Sequence, residues 1–373
     1  MTTLFFYGTL RDPELLRIVI GTDPDDMRIT PAVLPDHAVD WARGQSFPTL
    51  TPQAGAQAEG LLATDLSEAE VARFDFYEGS FGYRLRAVEV RAGGEARTAL
   101  VYFPDPGLWE RGARFDLGDW QARFGPLARL SAVEEMSYFG RISGEELSRR
   151  VPMIRARAAA RLAAATGVPA DIRSDCSANE VEQVGFERAH AGFFVTDIHE
   201  LRYPTFAGGM GPVLRREVFV ATDAAIVLPY DPARDRVLLV EQFRMGPYRR
   251  GDPRPWMLEP VAGRVDANET PEDCARRECK EEARLELRAL EHVASFYATP
   301  GTSTEYFHAY VGLCDLPDAE RGTGGLDSED EDIRTHVLSF NAAQNLLSTG
   351  EADNGPLVVA LLWLAQARER LRR

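Results

Sequence analysis

Lysine is nearly missing from this chain: Lys280 stands alone among 42 basic residues, and every other one is arginine. We read that imbalance as codon usage and attach no function to it. Positive charge as a whole is in deficit. The formal net charge is −16, and a surface of that sign repels phosphate backbones, which disfavours a nucleic-acid partner. An anionic small molecule would need a local arginine cluster or a metal ion to be held. Cysteine is scarce too. Cys176, Cys274, Cys279 and Cys314 are scattered and form no C-x-x-C pair, which disfavours a disulfide framework and fits a reducing cytoplasm. The longest apolar run, Leu357 to Ala365, is too short to span a bilayer, so no membrane partner is expected. The six histidines form no H-E-x-x-H, which leaves a zinc peptidase without support. The opening residues Met1 to Tyr7 lack a basic region and read as a strand rather than a signal peptide.

What is present points to more than one domain. The chain has 373 residues with an ordinary 45% hydrophobic fraction, enough for two or three folded units. Over 1–105, short strands alternate with Gly/Pro turns. Leu4–Tyr7 reads as a strand ended by Gly8, and Arg86–Val90 with Thr98–Phe103 reads as a hairpin about Ala92-Gly93-Gly94. From Leu117 to about Ala165 the spacing turns helical, with Ile154, Ala158, Leu162 and Ala165 on one face. Residues 106–177 are therefore expected to be a helical connector ending in a linker. From 178 onward strands resume, with a hairpin over Phe219–Pro229 and Arg236–Phe243. A helix is expected from Pro271 to about Ala283, then strands near 290–297 and 306–313. An acidic loop spans Gly322–Asp332, and a last helix runs from about Gly355 to Leu371.

The chemistry concentrates at residues 263–285. Gly263 is followed by Glu269, then by Arg277, Glu278, Glu281 and Glu282. On a helix Glu278, Glu281 and Glu282 share one face, at i, i+3 and i+4. Such a cluster repels itself by a few tenths of a kcal/mol per pair. A solvated surface tolerates that, whereas a hard divalent cation turns the repulsion into coordination. Ala275, Cys279 and Ala283 form an adjacent apolar strip able to lie on a sheet, and Arg277 is positioned to pair with Glu269.

The spacing of these residues resembles the Nudix box, with Arg284 where that family usually has glycine. A non-glycine residue there costs roughly 1–2 kcal/mol in the left-handed conformation. Flanking segments extend the resemblance over roughly 185–365: Glu241–Arg244, Trp256–Gly263, Ser295–Gly301 with Glu305, and Gly325–Ile333. Together they resemble the ADP-ribose pyrophosphatase branch. The resemblance implies an α/β/α sandwich and Mg²⁺, with Mn²⁺ as a substitute, held by the Ala262 carbonyl, Glu278, Glu281, Glu282 and Glu331. Glu329 would be the general base, alongside Glu282 in the catalytic set. Arg216, Arg244 and Arg264 would meet the diphosphate. Phe193 would stack on adenine with Phe194 and Glu217 nearby, and Thr299, Pro300, Gly301 and Glu305 would approach the terminal ribose. It also implies a homodimer in which Phe193 serves the partner's site. Val220 and Ala221 stand where some members carry a further arginine. Taken singly, Arg216 and Arg244 read as surface ion-pair partners, Phe193 as a core residue and Glu329 as a solvated charge. Hydrolysis of another nucleoside diphosphate sugar and non-catalytic nucleotide sensing remain alternatives.

In the first segment, Tyr7-Gly8-Thr9-Leu10 follows a strand, and Glu78 comes much later after Phe74–Tyr77. A turn and a capping carboxylate would explain both. Their pairing at this separation resembles the γ-glutamylcyclotransferase-like fold, a small mixed β-barrel covering about 1–105. There the loop cradles a γ-glutamyl group and the glutamate transfers protons. The resemblance therefore implies a mixed α/β (α+β) protein with a γ-glutamyl enzyme or ligand-sensing module at 1–105 and a Nudix domain at 178–373. Fused pairs of this kind also resemble bacterial proteins labelled tellurite-resistance-associated.

Overall fold

The computed structural model describes residues 1–22, 28–79, 82–168, 171–174, 176–316, 323–324 and 332–373, in two compact units, 1–166 and 167–373.

In the first unit, strands β1 (Thr2–Phe6), β2 (Arg28–Ala42), β3 (Pro48–Leu66), β4 (Tyr83–Ala92), β5 (Glu95–Pro104) and β6 (Arg111–Arg114) form one sheet. Its order β3-β1-β5-β4-β2 returns to β3 through the β2–β3 pairing, so the sheet closes on itself. The β1–β5 pairing is parallel and the β4–β5 hairpin antiparallel, which makes the barrel mixed. The β4–β5 turn falls where expected, with Gly93 and Gly94 at φ 60° and 88°. A two-residue turn with both φ positive matches strand twist and favours residues without Cβ. Closure also removes exposed strand edges.

Helices α1 (Pro13–Ile20), α2 (Glu68–Gly79), α3 (Leu117–Arg123), α4 (Gly125–Ser137) and α5 (Gly144–Ala164) complete the unit. The stretch read as a connector thus contains β6 and three helices, and up to Thr166 it belongs to this unit. Asp12 explains part of the attachment. It caps α1 by accepting from the Leu15 N–H (2.9 Å) and also accepts from Arg129 of α4 (2.6 Å) and Gln121 of α3 (2.7 Å). Trp120 is fully buried and donates to the Ser46 carbonyl (2.9 Å). The expected apolar face of α5 holds at Ile154 and Ala158, which are buried, then fades: Leu162 is half-buried and Ala165 exposed. An apolar stripe signals burial, but not the surface it packs on.

The second unit contains two sheets. Strands β7 (Glu182–Ala191), β8 (Val195–Arg202) and β9 (Leu214–Val220) form an antiparallel sheet. Strands β10 (Asp223–Asp231) and β11 (Arg236–Phe243) make a hairpin at the centre of the other; the run expected as one strand over Phe219–Pro229 is split, Phe219 and Val220 ending β9 in the first sheet. After α6 (Met245–Arg250), short strands β12 (Trp256–Glu259) and β13 (Val261–Arg264) pair with β11 and β10 respectively. Helix α7 (Pro271–Ala283) precedes β14 (Ala289–Tyr297) and β15 (Tyr306–Leu313), and β15 runs parallel to β10. Residues Thr323–Gly324 (β16) and β17 (Ile333–Ser339) complete the sheet, followed by α8 (Phe340–Thr349) and α9 (Gly355–Leu371).

The central hairpin alternates strictly. Ala225, Val227, Leu238 and Val240 face the core beneath α7, whereas Leu228, Tyr230, Val237 and Leu239 face the core under α8 and α9. Strands buried on both faces read as continuous apolar runs, which is why the sequence signals them without period-2 polarity. The sandwich therefore presents α7 on one face and the C-terminal helices on the other.

Candidate active site

Helix α7 starts with Thr270 as N-cap, its hydroxyl accepting from the Asp273 N–H (3.1 Å), and Pro271 in the first turn. It ends at Arg284, which takes up the left-handed conformation at φ 54° and ψ 35°. The Arg284 and Leu285 N–H groups then reach back to the Lys280 and Cys279 carbonyls. The turn that glycine would make in the family is thus made here by arginine, with its conformational strain. Cys274, Ala275 and Cys279 are completely buried against the sheet, and burial pushes the thiols of Cys274 and Cys279 up. They serve as packing residues.

With that strip against the sheet, the glutamate face turns toward β13. Glu282 is buried at 2% exposure. Glu278 lies directly over Gly263: a Cβ built on that glycine would fall 1.8 Å from Glu278 Oε1. Absence of a side chain at 263 is therefore what makes room for the Glu278 carboxylate; Ala262, the residue before it in β13, pairs with Ile226 of β10. Arg277 binds Glu269 through two parallel bonds (2.8 and 2.9 Å) and reaches Glu278 (2.6 Å), Glu281 (3.0 Å) and the Arg264 carbonyl (3.2 Å). Burial works to raise the Glu269 pKa, but bonds from Arg277 and the Asp266 N–H outweigh it and hold the carboxyl below its ordinary value. Loop, strand end and helix are thereby locked together. Among the described residues no three His, Cys, Asp or Glu side chains converge as a ready metal cage. Glu329 and Glu331 lie outside the described residues.

The flanking candidates fall into two groups. Arg244 donates to Glu259 at the end of β12 (2.7 Å). Burial raises the Glu259 pKa, with Arg244 opposing. Glu305 is also raised by burial and feels Arg244 in the opposite sense. Arg264 sits 3.8 Å from Asp266. The second group is organised by β9. Arg216 is exposed and donates to the Arg215 carbonyl, while Glu217 pairs with Arg215 (3.1 Å). The Thr299–Gly301 loop is tied to the same strand, because Phe219 N–H donates to the Thr302 carbonyl (2.8 Å) and Thr304 N–H to the Phe219 carbonyl (3.0 Å). Phe193 and Phe194 sit at the β7–β8 turn in edge contact with each other, and Phe194 packs on Phe219 (5.0 Å). Neither is core: Phe193 is 63% exposed. The role of Glu259 beside Arg244 went unread in the sequence, since a separation of fifteen positions holds no spacing cue for a pair brought together by the β11–β12 pairing.

The first unit holds a cavity of about 90 Å³. Tyr7, Gly8, Thr9, Leu10 and Glu78 all line it, so the two distant sequence signals meet in one place. Burial pushes the Glu78 carboxyl up to about 7. Tyr7, Tyr77 and Tyr83 line the same wall, their phenols raised chiefly by burial and further by the Glu78 charge. Ser131, Glu135 and Arg155, from α4 and α5, also line the cavity and were not among the sequence candidates.

Comparison with known proteins divides the chain in the same way. Residues 220–361 match the NUDIX domain, and residues 4–122 match the family described as gamma-glutamyl cyclotransferase, AIG2-like. An ADP-ribose pyrophosphatase of Escherichia coli (strain K12) is 41% identical over 194 residues, which are 52% of this chain and 92% of the relative. One from Haemophilus influenzae is 37% identical over 190 residues, 50% of this chain and 87% of the relative. A GDP-mannose pyrophosphatase of Escherichia coli is 33% identical over 156 residues, 41% of this chain and 80% of the relative.

Proposed function

This chain belongs to the Nudix family, and on that premise we propose that its C-terminal half hydrolyses the diphosphate of ADP-ribose to AMP and ribose 5-phosphate, with Mg²⁺ as the cofactor. The observation that carries the reading is the seating of Glu278 of α7 over Gly263. Glu278, Glu281 and Glu282 share one helix face, and Gly263, lacking a side chain, leaves room for the Glu278 carboxylate next to it; the Ala262 carbonyl would complete the set. That donor set suits a hard divalent cation; these groups, with Glu331, would hold it. Such an ion neutralises diphosphate oxygens and lowers the pKa of a bound water. Glu329 is assigned the proton from the attacking water. Arg244, steadied by Glu259, would meet the diphosphate with Arg216 and Arg264, since guanidinium forks match phosphate oxygens. Phe193, Phe194 and Glu217 are assigned to the adenine, and Thr299, Pro300, Gly301 and Glu305 to the terminal ribose.

We also assign a homodimer to the β7–β9 sheet. Val184, Phe186, Phe193 and Phe194 are all more than half exposed there, and large apolar side chains left exposed on one small sheet favour a partner. A cytoplasmic location agrees with the free cysteines, of which Cys274, Cys279 and Cys314 are buried. The test is turnover of ADP-ribose, ADP-glucose, NADH and GDP-mannose in parallel with Mg²⁺. We expect the highest kcat/KM on ADP-ribose and a fall of at least about 100-fold in Glu282→Gln. Preference for another substrate would favour a different nucleoside diphosphate sugar, a reading encouraged by the GDP-mannose pyrophosphatase relative. Wild-type rates in Glu282→Gln would remove the metal assignment, and no turnover at all would leave a nucleotide-binding role.

For the first domain we propose γ-glutamyl chemistry at Glu78. In a cyclotransfer the ligand's own α-amine attacks its γ-carbonyl, forming the 5-oxoproline lactam and releasing the amine. A carboxyl near neutrality can take the proton from the attacking nitrogen and return it to the leaving one, and Glu78 at about 7 has that balance. Release of 5-oxoproline from γ-glutamyl dipeptides and amines, lost in Glu78→Gln, is the expected result. No release from any of them would leave a binding role.

A further inference from the structure

The family match in the first unit ends at residue 122, yet the cavity wall does not. Ala128, Ser131 and Glu135 of α4 and Arg155 of α5 complete it. Ser131 and Glu135 stand one helical turn apart, each only 2% exposed. Ser131 Oγ and Glu135 Oε2 have no hydrogen-bond partner among the described residues. Two adjacent buried polar groups left unsatisfied are unfavourable unless something else completes them. Arg155 donates to Ser46 Oγ (2.7 Å) and forms no close ion pair among the described residues. The rest of the wall is largely aromatic, with Tyr7, Phe47, Tyr77, Tyr83 and Trp120. Aromatic faces favour a cation, and a carboxylate beside them would pair with it.

We propose that α4 and α5 turn this cavity into a recognition site for an amino-acid-like zwitterion, Glu135 and Ser131 receiving its ammonium group and Arg155 its carboxylate. Glu78, lining the same cavity, then takes the proton from that same nitrogen as it attacks the γ-carbonyl and returns it to the leaving amine. The inference rests on the γ-glutamyl reading of the first domain and sharpens it: the specificity residues come from helices outside the matched region. Burial raises the Glu135 carboxyl to about 7, with Arg155 pulling it down and Glu134 adding to the rise. An ammonium ion in contact would favour its charged form.

The test uses the full chain in a Glu78→Gln background, which stops turnover, with binding followed by calorimetry. The probes are γ-L-glutamyl-L-alanine and its N-acetyl derivative, which lacks the ammonium charge. We expect the dipeptide to bind and the N-acetyl derivative to bind at least 10-fold more weakly. Adding Glu135→Gln should weaken the dipeptide at least 10-fold, and Ser131→Ala a few-fold, while leaving the weak N-acetyl binding unchanged. Dipeptide affinity within 2-fold after Glu135→Gln, or equal binding of both probes, overturns the inference while the γ-glutamyl reading stands. No binding of the dipeptide overturns both. Should Glu135→Gln fail to fold, Ser131→Ala carries the same comparison, and an unchanged ratio between the two probes counts against the inference.

Discussion

Replacing Gly263 by alanine isolates the geometry on which the second unit's chemistry depends. The added Cβ would lie 1.8 Å from Glu278 Oε1 and 1.9 Å from Cδ. Ordinary contact begins near 3.4 Å, so the carboxylate must retreat by about 1.6 Å, the difference of the two distances. Retreat is feasible because the blocked atoms are the end of a flexible side chain. It is costly for function because Arg277 already fixes Glu278 from the other side, at 2.6 Å. A misplacement of about 1 Å in a catalytic constellation can lower rates about 100-fold. We therefore expect Gly263→Ala to lower kcat/KM on ADP-ribose by roughly that factor or more, with a stability loss of only about 1 kcal/mol, since α7 keeps its buried strip. Initial rates across a Mg²⁺ titration, together with hydrogen exchange of the α7 amides, measure the two effects separately. A variant with wild-type rate and wild-type Mg²⁺ dependence would refute the idea that Glu278 must sit over residue 263.

Three further outcomes follow from the same structure. Arg277→Ala should destabilise the second unit by about 2 kcal/mol, the scale of charge-assisted hydrogen bonds. Because Arg277 helps hold Glu269 below its ordinary pKa, that stability is present above the unfolded carboxyl pKa and lost as pH falls through the folded one; the acid limb of an exchange-measured stability profile should flatten in the variant. Arg284→Gly should stabilise α7 by about 1 kcal/mol, because it relieves a left-handed non-glycine residue, seen as slower exchange of the last-turn amides; unchanged or faster exchange would mean the arginine repays its strain through contacts. In the first unit Glu135 has the opposite pH sense. Its folded pKa, about 7, lies above the ordinary 4.5, so wild type should lose about 2–3 kcal/mol relative to Glu135→Gln between pH 5 and 8. Urea midpoints read by proteolysis at sites within 1–166 would test this, and parallel pH profiles would contradict it.

Much of the second unit was legible because its signals are local. The bounds of α7 follow from the Thr270 cap and, within the thirteen residues after it, a proline and an apolar strip, and the β10–β11 hairpin from two apolar runs about a turn. Helix α8 was not anticipated, although Ser339 caps it and Gly350 ends it at φ 83°. Its ten residues are mostly small or amide side chains with a short apolar stripe, too brief for periodicity to stand out. Arg244 with Glu259 belongs to a different class. Their pairing depends on the β11–β12 register, and register is a tertiary property that neither strand spells out by itself.

The first unit makes the sharper case. Tyr7–Leu10 and Glu78 could be matched across seventy residues because the motif pair carries a known spacing, and the structure brings them to one cavity. Glu135 and Arg155 had no such aid. In sequence they are single charges in an Ala/Arg/Glu-rich helical stretch, and a charge on an amphipathic helix is ordinarily solvated. Burial reverses that expectation because α4 docks on the rest of the unit, with Arg129 on Asp12, a contact spanning 117 residues, and Leu127, Ala132 and Met136 buried. The docking that hides Glu135 is the same one that turns it into the cavity. A helical segment resembling a linker thus becomes part of a binding wall through long-range ion pairs and its packing. If that is so, the boundary of the functional domain lies near Thr166, where the compact unit ends, and a fragment stopping at residue 105 would keep Glu78 while losing the wall opposite it.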